Sequence, residues 1–263
     1  MAPGKYLYCI IRCRQERAFE GATAVGDPQA AVHTICHQGL AAVVSDSPTQ
    51  DYDLTRANLV AHQRVLEGLM SEFTLLPVRF GTVAAPASAA RDVATLLSRH
   101  YREFDGLLSE MEGKVELGVK ALWRDEQTVF EEIVAQDESI RRLRGRVEGK
   151  PPQTTYLERI HLGEMVKEAL ERKRAAEAAL ILPPLEKLAC RVALNATLLD
   201  RMILNAAFLV SRGREEEFDR AVRQMDEGMR SRVALRYVGP VPPYNFVHIV
   251  VNWEEVRSGV GAR

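Results

Sequence analysis

The sequence predicts an α+β protein of two domains, and three observations carry that expectation. Segments of strand period alternate with segments of helical period along the whole chain. In the first half the connections are too short for long parallel crossovers throughout, which points to helices on a mostly antiparallel sheet. The length of 263 residues also favours two domains, at roughly 100–200 residues each.

The first domain reads β-β-β-α-β-α-β. Residues 5–11 are rich in Tyr and Ile and form a strand, with Cys9 packed inside it. Residues 32–37 and 39–45 are two short β-rich runs, and Gln38-Gly39 between them predicts a tight hairpin. Leu59, His62, Leu66, Leu69, Met70 and Phe73 fall at helical spacing and predict an amphipathic helix over 54–73. Residues 75–80 form a short apolar strand, and Pro77 places it at an edge or a strand end. Pro86 and Ser88 open a helix with an apolar stripe through Val93, Leu97, Tyr101, Phe104, Leu108 and Met111, and Gly113 ends it. Val115, Leu117, Val119 and Ala121 then alternate with polar or small residues, the pattern of a strand with one dry face.

The second domain begins with a charged helix over 125–147, stopped by Pro151-Pro152. A long helix from Tyr156 carries a narrow stripe of Leu162, Val166, Ala169, Ala176 and Leu180 between charged flanks. It predicts a coiled-coil-like hairpin with the preceding helix. Pro183-Pro184 is expected to kink or restart that helix. Strands follow at 191–194 and 202–210, the latter so continuously apolar that it belongs in the middle of a sheet. A helix over 215–229 and a strand over 233–238 complete α-β-β-α-β, most of a ferredoxin-like split β-α-β. The boundary is drawn as 1–123 and 124–263.

Composition narrows the function classes. The chain is 46% hydrophobic and 27% charged, and 35 basic against 36 acidic residues leave a net charge of −1. That balance fits a packed globular protein and excludes a disordered one. It offers no basic excess, so nucleic acid is not an expected partner. No run of eighteen apolar residues predicts a membrane span, and the N-terminal residues lack a signal-peptide layout. Cys9, Cys13, Cys36 and Cys190 lack a CxxC spacing and fit reduced cytosolic thiols.

Catalytic constellations are sought next. The string Gly145-Arg146-Val147-Glu148-Gly149-Lys150-Pro151 is one residue short of a phosphate-binding loop and carries proline at the Ser/Thr position, so a linker is the better reading. His33 and His37 share a strand face but lack further ligands for a metal ion. His62 lies on an apolar stripe, as a hydrogen-bonded core histidine does. There is no GxSxG elbow, and the carboxylate pairs Glu131-Glu132 and Glu215-Glu216 sit on solvated helix faces. No catalytic, cofactor or metal residue is assigned. Two strings stand out instead. Residues 75–83 place Arg79 inside an apolar segment ending at Gly81. Residues 239–247, GPVPPYNFV, hold three prolines in an extended path preorganised to dock on another surface, internal or on a partner.

These strings resemble the gas vesicle GvpF/GvpL family. The LPVRFGTV segment at 76–83 and GPVPPYNFV at 239–247 match its motifs. So do Tyr6-Leu7-Tyr8, the strand at 113–120 and the run at 204–210, in the same order across nearly the whole chain. Val241 stands where the family pattern usually has tryptophan, which removes a large aromatic anchor. The resemblance implies a non-enzymatic, cytoplasmic or vesicle-associated assembly factor without a cofactor. Its expected partners are the small hydrophobic main shell protein, GvpA, and other gas vesicle accessory proteins. It also implies two α+β domains, the second of modified ferredoxin type with a C-terminal tail. The expected contact is a sheet edge or apolar groove of the first domain, with Arg79, Phe80 and Tyr244 as partner-binding candidates. Two rival readings are a ferredoxin-like regulatory protein for a small molecule, and an enzyme with Arg79 and His62 in one pocket.

Overall fold

The computed structural model describes residues 3–258. In chain order the elements are β1 (Gly4–Arg12), β2 (Val32–His37), β3 (Leu40–Ser47), α1 (Arg56–Leu69), β4 (Leu75–Pro77), β5 (Val83–Ala84), α2 (Ala89–Arg99) and α3 (Tyr101–Met111). They continue with β6 (Lys114–Trp123), α4 (Glu126–Gln136), α5 (Glu138–Val147), α6 (Tyr156–Glu186), β7 (Arg191–Leu194), β8 (Met202–Ser211), α7 (Glu215–Met229), β9 (Val233–Val241) and α8 (Trp253–Ser258). The chain is α+β, as its alternating periods predict. It divides into two compact units: the residues up to Glu116 with those from Pro240 onward, and Leu117–Gly239.

The first unit is built on a sheet of order β2-β3-β1-β4, with β5 also paired to β1. All of these pairings are antiparallel. The β2–β3 hairpin turns on Gln38 and Gly39, with φ of 51° and 107°. Two left-handed residues are what a two-residue turn needs to match strand twist, and glycine accepts that conformation at no steric cost. Strand β1 is buried along its middle, and its register shifts between Leu7 and Cys9. The bulge breaks strict alternation, so Tyr6, Tyr8, Cys9 and Ile11 join one buried cluster with Val65, Leu66 and Leu69 of α1.

The predicted helix after Pro86 is two helices. At His100 the backbone leaves the helical region (φ −98°, ψ 18°), and the imidazole stacks on Phe104 with ring centroids 5.4 Å apart. The apolar stripe continues across the break, so periodicity alone cannot show it.

Neighbouring chain pairs with part of each outer edge of this sheet. On one side Phe19 N–H donates to Val32 O at 2.8 Å and Thr34 N–H to Arg17 O at 3.0 Å. On the other, Val78, just past β4, forms a parallel bridge with Ile249 of the C-terminal segment. Neighbouring chain thus occupies part of each edge, which leaves less free strand for the sheet-edge version of the expected contact.

The proline-rich segment docks internally. Pro242, Pro243, Phe246, Val247 and Ile249 are buried. Asn245 donates its backbone N–H to Glu116 Oε2 at 2.8 Å and its side-chain amide to Glu116 Oε1 at 2.6 Å. Arg99 Nη1 donates to the carbonyl of Glu255 at 2.7 Å. Burial pushes the Glu116 carboxyl upward, opposed by these two hydrogen bonds. Glu116→Ala leaves two donors without an acceptor, so it is expected to cost about 1–2 kcal/mol. Glu116→Gln keeps one acceptor oxygen and is expected to cost less. Urea unfolding of the two variants checks the ordering.

The second unit has strand order β7-β8-β6-β9. With its helices the sequence of elements is β-α-β-β-α-β, and the order is that of the split β-α-β ferredoxin-like motif. Strand β8 is interior and almost wholly buried, as its apolar run predicts. Strand β6 sits between β8 and β9, whereas the sequence boundary at 123/124 leaves it with the first half. The compact units separate at Glu116/Leu117 instead, because β6 supplies the first strand of the second motif.

Two helical expectations also change. The 125–147 helix breaks at Asp137, whose carboxylate accepts from Ser139 N–H at 2.9 Å and Ile140 N–H at 3.1 Å and so caps α5. Helix α6 runs through Pro183-Pro184 to Glu186. Both prolines fall near its C-terminal end, so the carbonyls of Ala179 and Leu180 lose their donors but little helix lies beyond to be disrupted. The predicted α6 stripe is only partly right: Ala169 is buried with Leu170, Ile181 and Leu185, whereas Leu180 is 68% exposed. The helices are tied to the sheet by charge. Arg232 Nη1 and Nη2 reach the two Glu132 oxygens at 2.7 and 2.8 Å, and Nη2 also meets Glu177 Oε1 at 2.7 Å. Trp123 Nε1 donates to Glu177 Oε2 at 2.6 Å, and Lys173 Nζ lies 2.7 Å from Glu132.

Candidate partner-binding groove

The groove is a product of helix α1 and what flanks it. Thr55 caps the helix, its hydroxyl accepting from Asn58 N–H at 3.2 Å. His62, Val65, Leu66 and Leu69 face inward. Leu59 and Val60 turn outward, 42% and 39% exposed, and Leu54 ahead of the cap is 75% exposed. A cavity of about 840 Å³ opens here, lined by these three residues with His62, Phe80 and Tyr244 among others. Large aliphatic groups left in water beside a cavity make an exposed apolar patch rather than scattered surface residues.

The two motif strings meet in this groove. Phe80 packs edge-on against Tyr6 and His62, with ring centroids 6.2 and 5.7 Å apart. The Tyr244 hydroxyl donates to Gln63 Oε1 at 3.2 Å, and burial pushes its phenol pKa up, so it stays protonated. Arg79 is exposed and lines an adjoining cavity of about 460 Å³ with Tyr52, Val250 and Trp253. Leu54 and Phe80 line both cavities. Of the three candidates, then, Phe80 and Tyr244 share one groove, and Arg79 stands at its neighbour.

His62 is a core histidine, 3% exposed, with Nδ1 3.0 Å from the Tyr6 hydroxyl and its ring stacked on Tyr8 at 5.7 Å. Gly81 N–H donates to the same Tyr6 oxygen at 3.1 Å. The tautomer that gives the Tyr6 hydroxyl an acceptor takes its proton at Nδ1 and carries the imidazole proton on Nε2. Burial depresses the His62 pKa to about 4, so the ring is neutral at pH 7. His62 and Arg79 line different cavities, so the geometry does not supply the pocket that the enzyme reading requires.

Of the other histidine pair, His33 lies 3.1 Å from Ala31 O and 3.2 Å from Lys5 Nζ, whereas the buried Nε2 of His37 has no hydrogen-bond partner among the described residues. Among the described residues no group of three or more His, Cys, Asp or Glu side chains is placed to hold a metal ion. None of the described helices is long and apolar enough to cross a membrane.

Sequence reasoning missed Leu54, Val60 and the arginines beside them. A signal was present. Leu59 and Val60 are adjacent, and consecutive helical residues lie about 100° apart, so the narrow inward stripe cannot hold both.

A ferredoxin-like second unit, an internally docked C-terminal segment and an open apolar groove define a two-unit α+β protein. The family described as Gas vesicle synthesis protein GvpL/GvpF matches residues 4–248, and the chain belongs to that family. Gas vesicle protein F of Streptomyces sp. (strain CB03234) is 32% identical over 92% of this chain and 98% of its own length. Gas vesicle protein F of Nostoc sp. (strain PCC 7120) is 28% identical over 95% of this chain and 100% of its own. The crystal structure of GvpF from Anabaena sp. PCC7120 superposes with a TM-score of 0.78 at 27% identity, covering 95% of this chain and 100% of that one. That of GvpF from Microcystis aeruginosa gives 0.76 at 26% identity, over 93% and 99%.

Proposed function

We propose that this chain is a non-enzymatic accessory protein of gas vesicle formation that holds the hydrophobic main shell protein, GvpA, while the wall assembles. Family membership supports the role in vesicle formation. The observation that carries the finer reading is the groove beside α1, where Leu54, Leu59 and Val60 stay exposed next to Phe80 and Tyr244. A wall protein with an apolar face aggregates unless that face is covered before assembly, and an open apolar groove is a surface that can cover it. Phe80 and Tyr244 contact the bound segment, and Arg79 meets its polar end. The protein acts in the cytoplasm and at the growing vesicle, together with other accessory proteins.

The test is capture of the shell protein by the full-length chain and by Leu59→Asp/Val60→Asp. Both positions are exposed, so the variant is expected to fold normally by circular dichroism. We expect it to retain at most about a tenth of the captured shell protein, since two charges would have to be desolvated on binding. Undiminished capture would reject the groove as the docking surface.

A further inference from the structure

Three side chains of α1 give the groove a chemical preference beyond its apolarity. Arg56, Val60 and Arg64 lie at i, i+4 and i+8 and form a ridge along the helix. This ridge separates the 840 Å³ groove from a second cavity of about 780 Å³ on the side of Gly26 and Pro28, and all three residues line both. Arg56 and Arg64 are exposed, and their guanidinium groups have no ion-pair or hydrogen-bond partner among the described residues. The acidic side chain in the groove, Glu67, is already engaged, accepting from Gln63 Nε2 at 2.8 Å. The second cavity is lined by no acidic residue.

The floor adds an independent observation. His62 lines the groove while 97% buried, and its Nε2 has no hydrogen-bond partner among the described residues. The tautomer that gives the Tyr6 hydroxyl an acceptor at Nδ1 carries the imidazole proton on that nitrogen. A buried N–H without an acceptor costs free energy that an incoming oxygen atom recovers.

We propose that the groove receives an acidic amphipathic segment of a protein partner: apolar side chains pack against Leu59, Val60 and Phe80, carboxylates pair with Arg56 and Arg64, and a backbone or side-chain oxygen accepts from His62 Nε2. This rests on the proposed docking role of the groove and specifies the chemistry it selects. A basic or neutral apolar segment leaves both arginines unpaired and gains nothing from the ridge.

The experiment uses the full-length chain and overlapping synthetic peptides that tile the shell protein, with binding measured by fluorescence anisotropy at 50 and 300 mM salt. Peptides with acidic residues flanking an apolar face are expected to bind, and to bind several-fold more weakly at the higher salt. Arg56→Glu/Arg64→Glu is expected to lose at least about tenfold in affinity and to recover it for a peptide whose acidic residues are changed to Lys. His62→Phe is expected to lose about threefold or more while keeping the salt dependence. If Leu59→Asp/Val60→Asp abolishes binding but the charge reversal changes nothing, the groove stands and the acidic-partner proposal falls. If neither variant alters binding, the groove reading falls and the proposal with it. Self-association of the chain through the same residues, seen by sedimentation and removed by Leu59→Asp/Val60→Asp, would also overturn it in favour of a second copy.

Discussion

Replacing Arg232 by alanine is expected to lower the stability of the second unit by about 2–3 kcal/mol in urea unfolding. The guanidinium binds Glu132 through two parallel hydrogen bonds and Glu177 through a third short one. A planar fork matches carboxylate geometry in a way that a point charge does not, so Arg232→Lys is expected to recover only part of the loss. The two carboxylates do not suffer equally. Glu132 keeps Lys173, while Glu177, only 14% exposed, keeps only the Trp123 N–H among these partners. The estimate stays below the cost of breaking a fully buried pair because Arg232 is 35% and Glu132 30% exposed. Hydrogen bonds from Arg232 and then Lys173 hold the Glu132 carboxyl down near 2. Its folded-state pKa therefore lies below the unfolded value, and its stabilisation is present above about pH 4.3 and lost as pH falls toward 2. Arg232→Ala should raise the Glu132 pKa, which carboxyl NMR titration can follow. A stability change under about 0.5 kcal/mol would show that the network is a solvated surface arrangement rather than a tie between helices and sheet.

Local pattern carried much of the fold and little of the site. Helix α7 and strand β8 are legible because their apolar periods are long and their burial one-sided or complete. The β2–β3 turn is legible because Gln38-Gly39 can adopt the left-handed conformations a two-residue turn needs. What escaped is non-local or rests on single residues. The allegiance of β6 depends on which strands it pairs with, and its alternating face would suit either sheet. The breaks at His100 and Asp137 rest on one residue each, inside stripes that continue across them. Glu116 looks like an ordinary outward residue of an alternating strand until Asn245, 129 residues away, supplies two donors. Phe80 and Tyr244 were singled out as motif residues, but only the fold brings the distant strings together beside α1. Arg56 and Arg64 carry no motif at all. Their interest comes from lacking an acid to pair with, which a sequence containing nearly equal numbers of acids and bases cannot reveal.

Acidification is expected to unfold the first unit through His62. Its ring is buried against Tyr6, Tyr8 and Phe80, with no carboxylate among its packed aromatic neighbours, and desolvation alone brings its pKa down to about 4. In the unfolded chain an imidazole titrates near 6.5, so between about pH 6.5 and 4 the unfolded state binds the extra proton. Stability therefore rises with pH across that window: the contribution of the neutral buried ring is complete above about 6.5 and is lost as pH falls to 4. The span corresponds to about 3 kcal/mol, at about 1.4 kcal/mol for each unit of difference. Carboxylates also titrate at the lower end, so the measurement that isolates the histidine is a comparison. His62→Asn keeps an acceptor near the Nδ1 position for the Tyr6 hydroxyl and removes the titrating group. It is expected to be less stable than the native chain at pH 7, because it leaves a small cavity. On descending from pH 7 to 4 its stability is expected to fall by about 3 kcal/mol less than that of the native chain. Parallel stability curves for the two proteins over that range would mean that the ring is solvated, and with it the floor of the groove. The same comparison bears on binding. A ring that stays neutral throughout the physiological range keeps the floor of the groove unchanged with pH, so only below about pH 5 should protonation begin to disturb it.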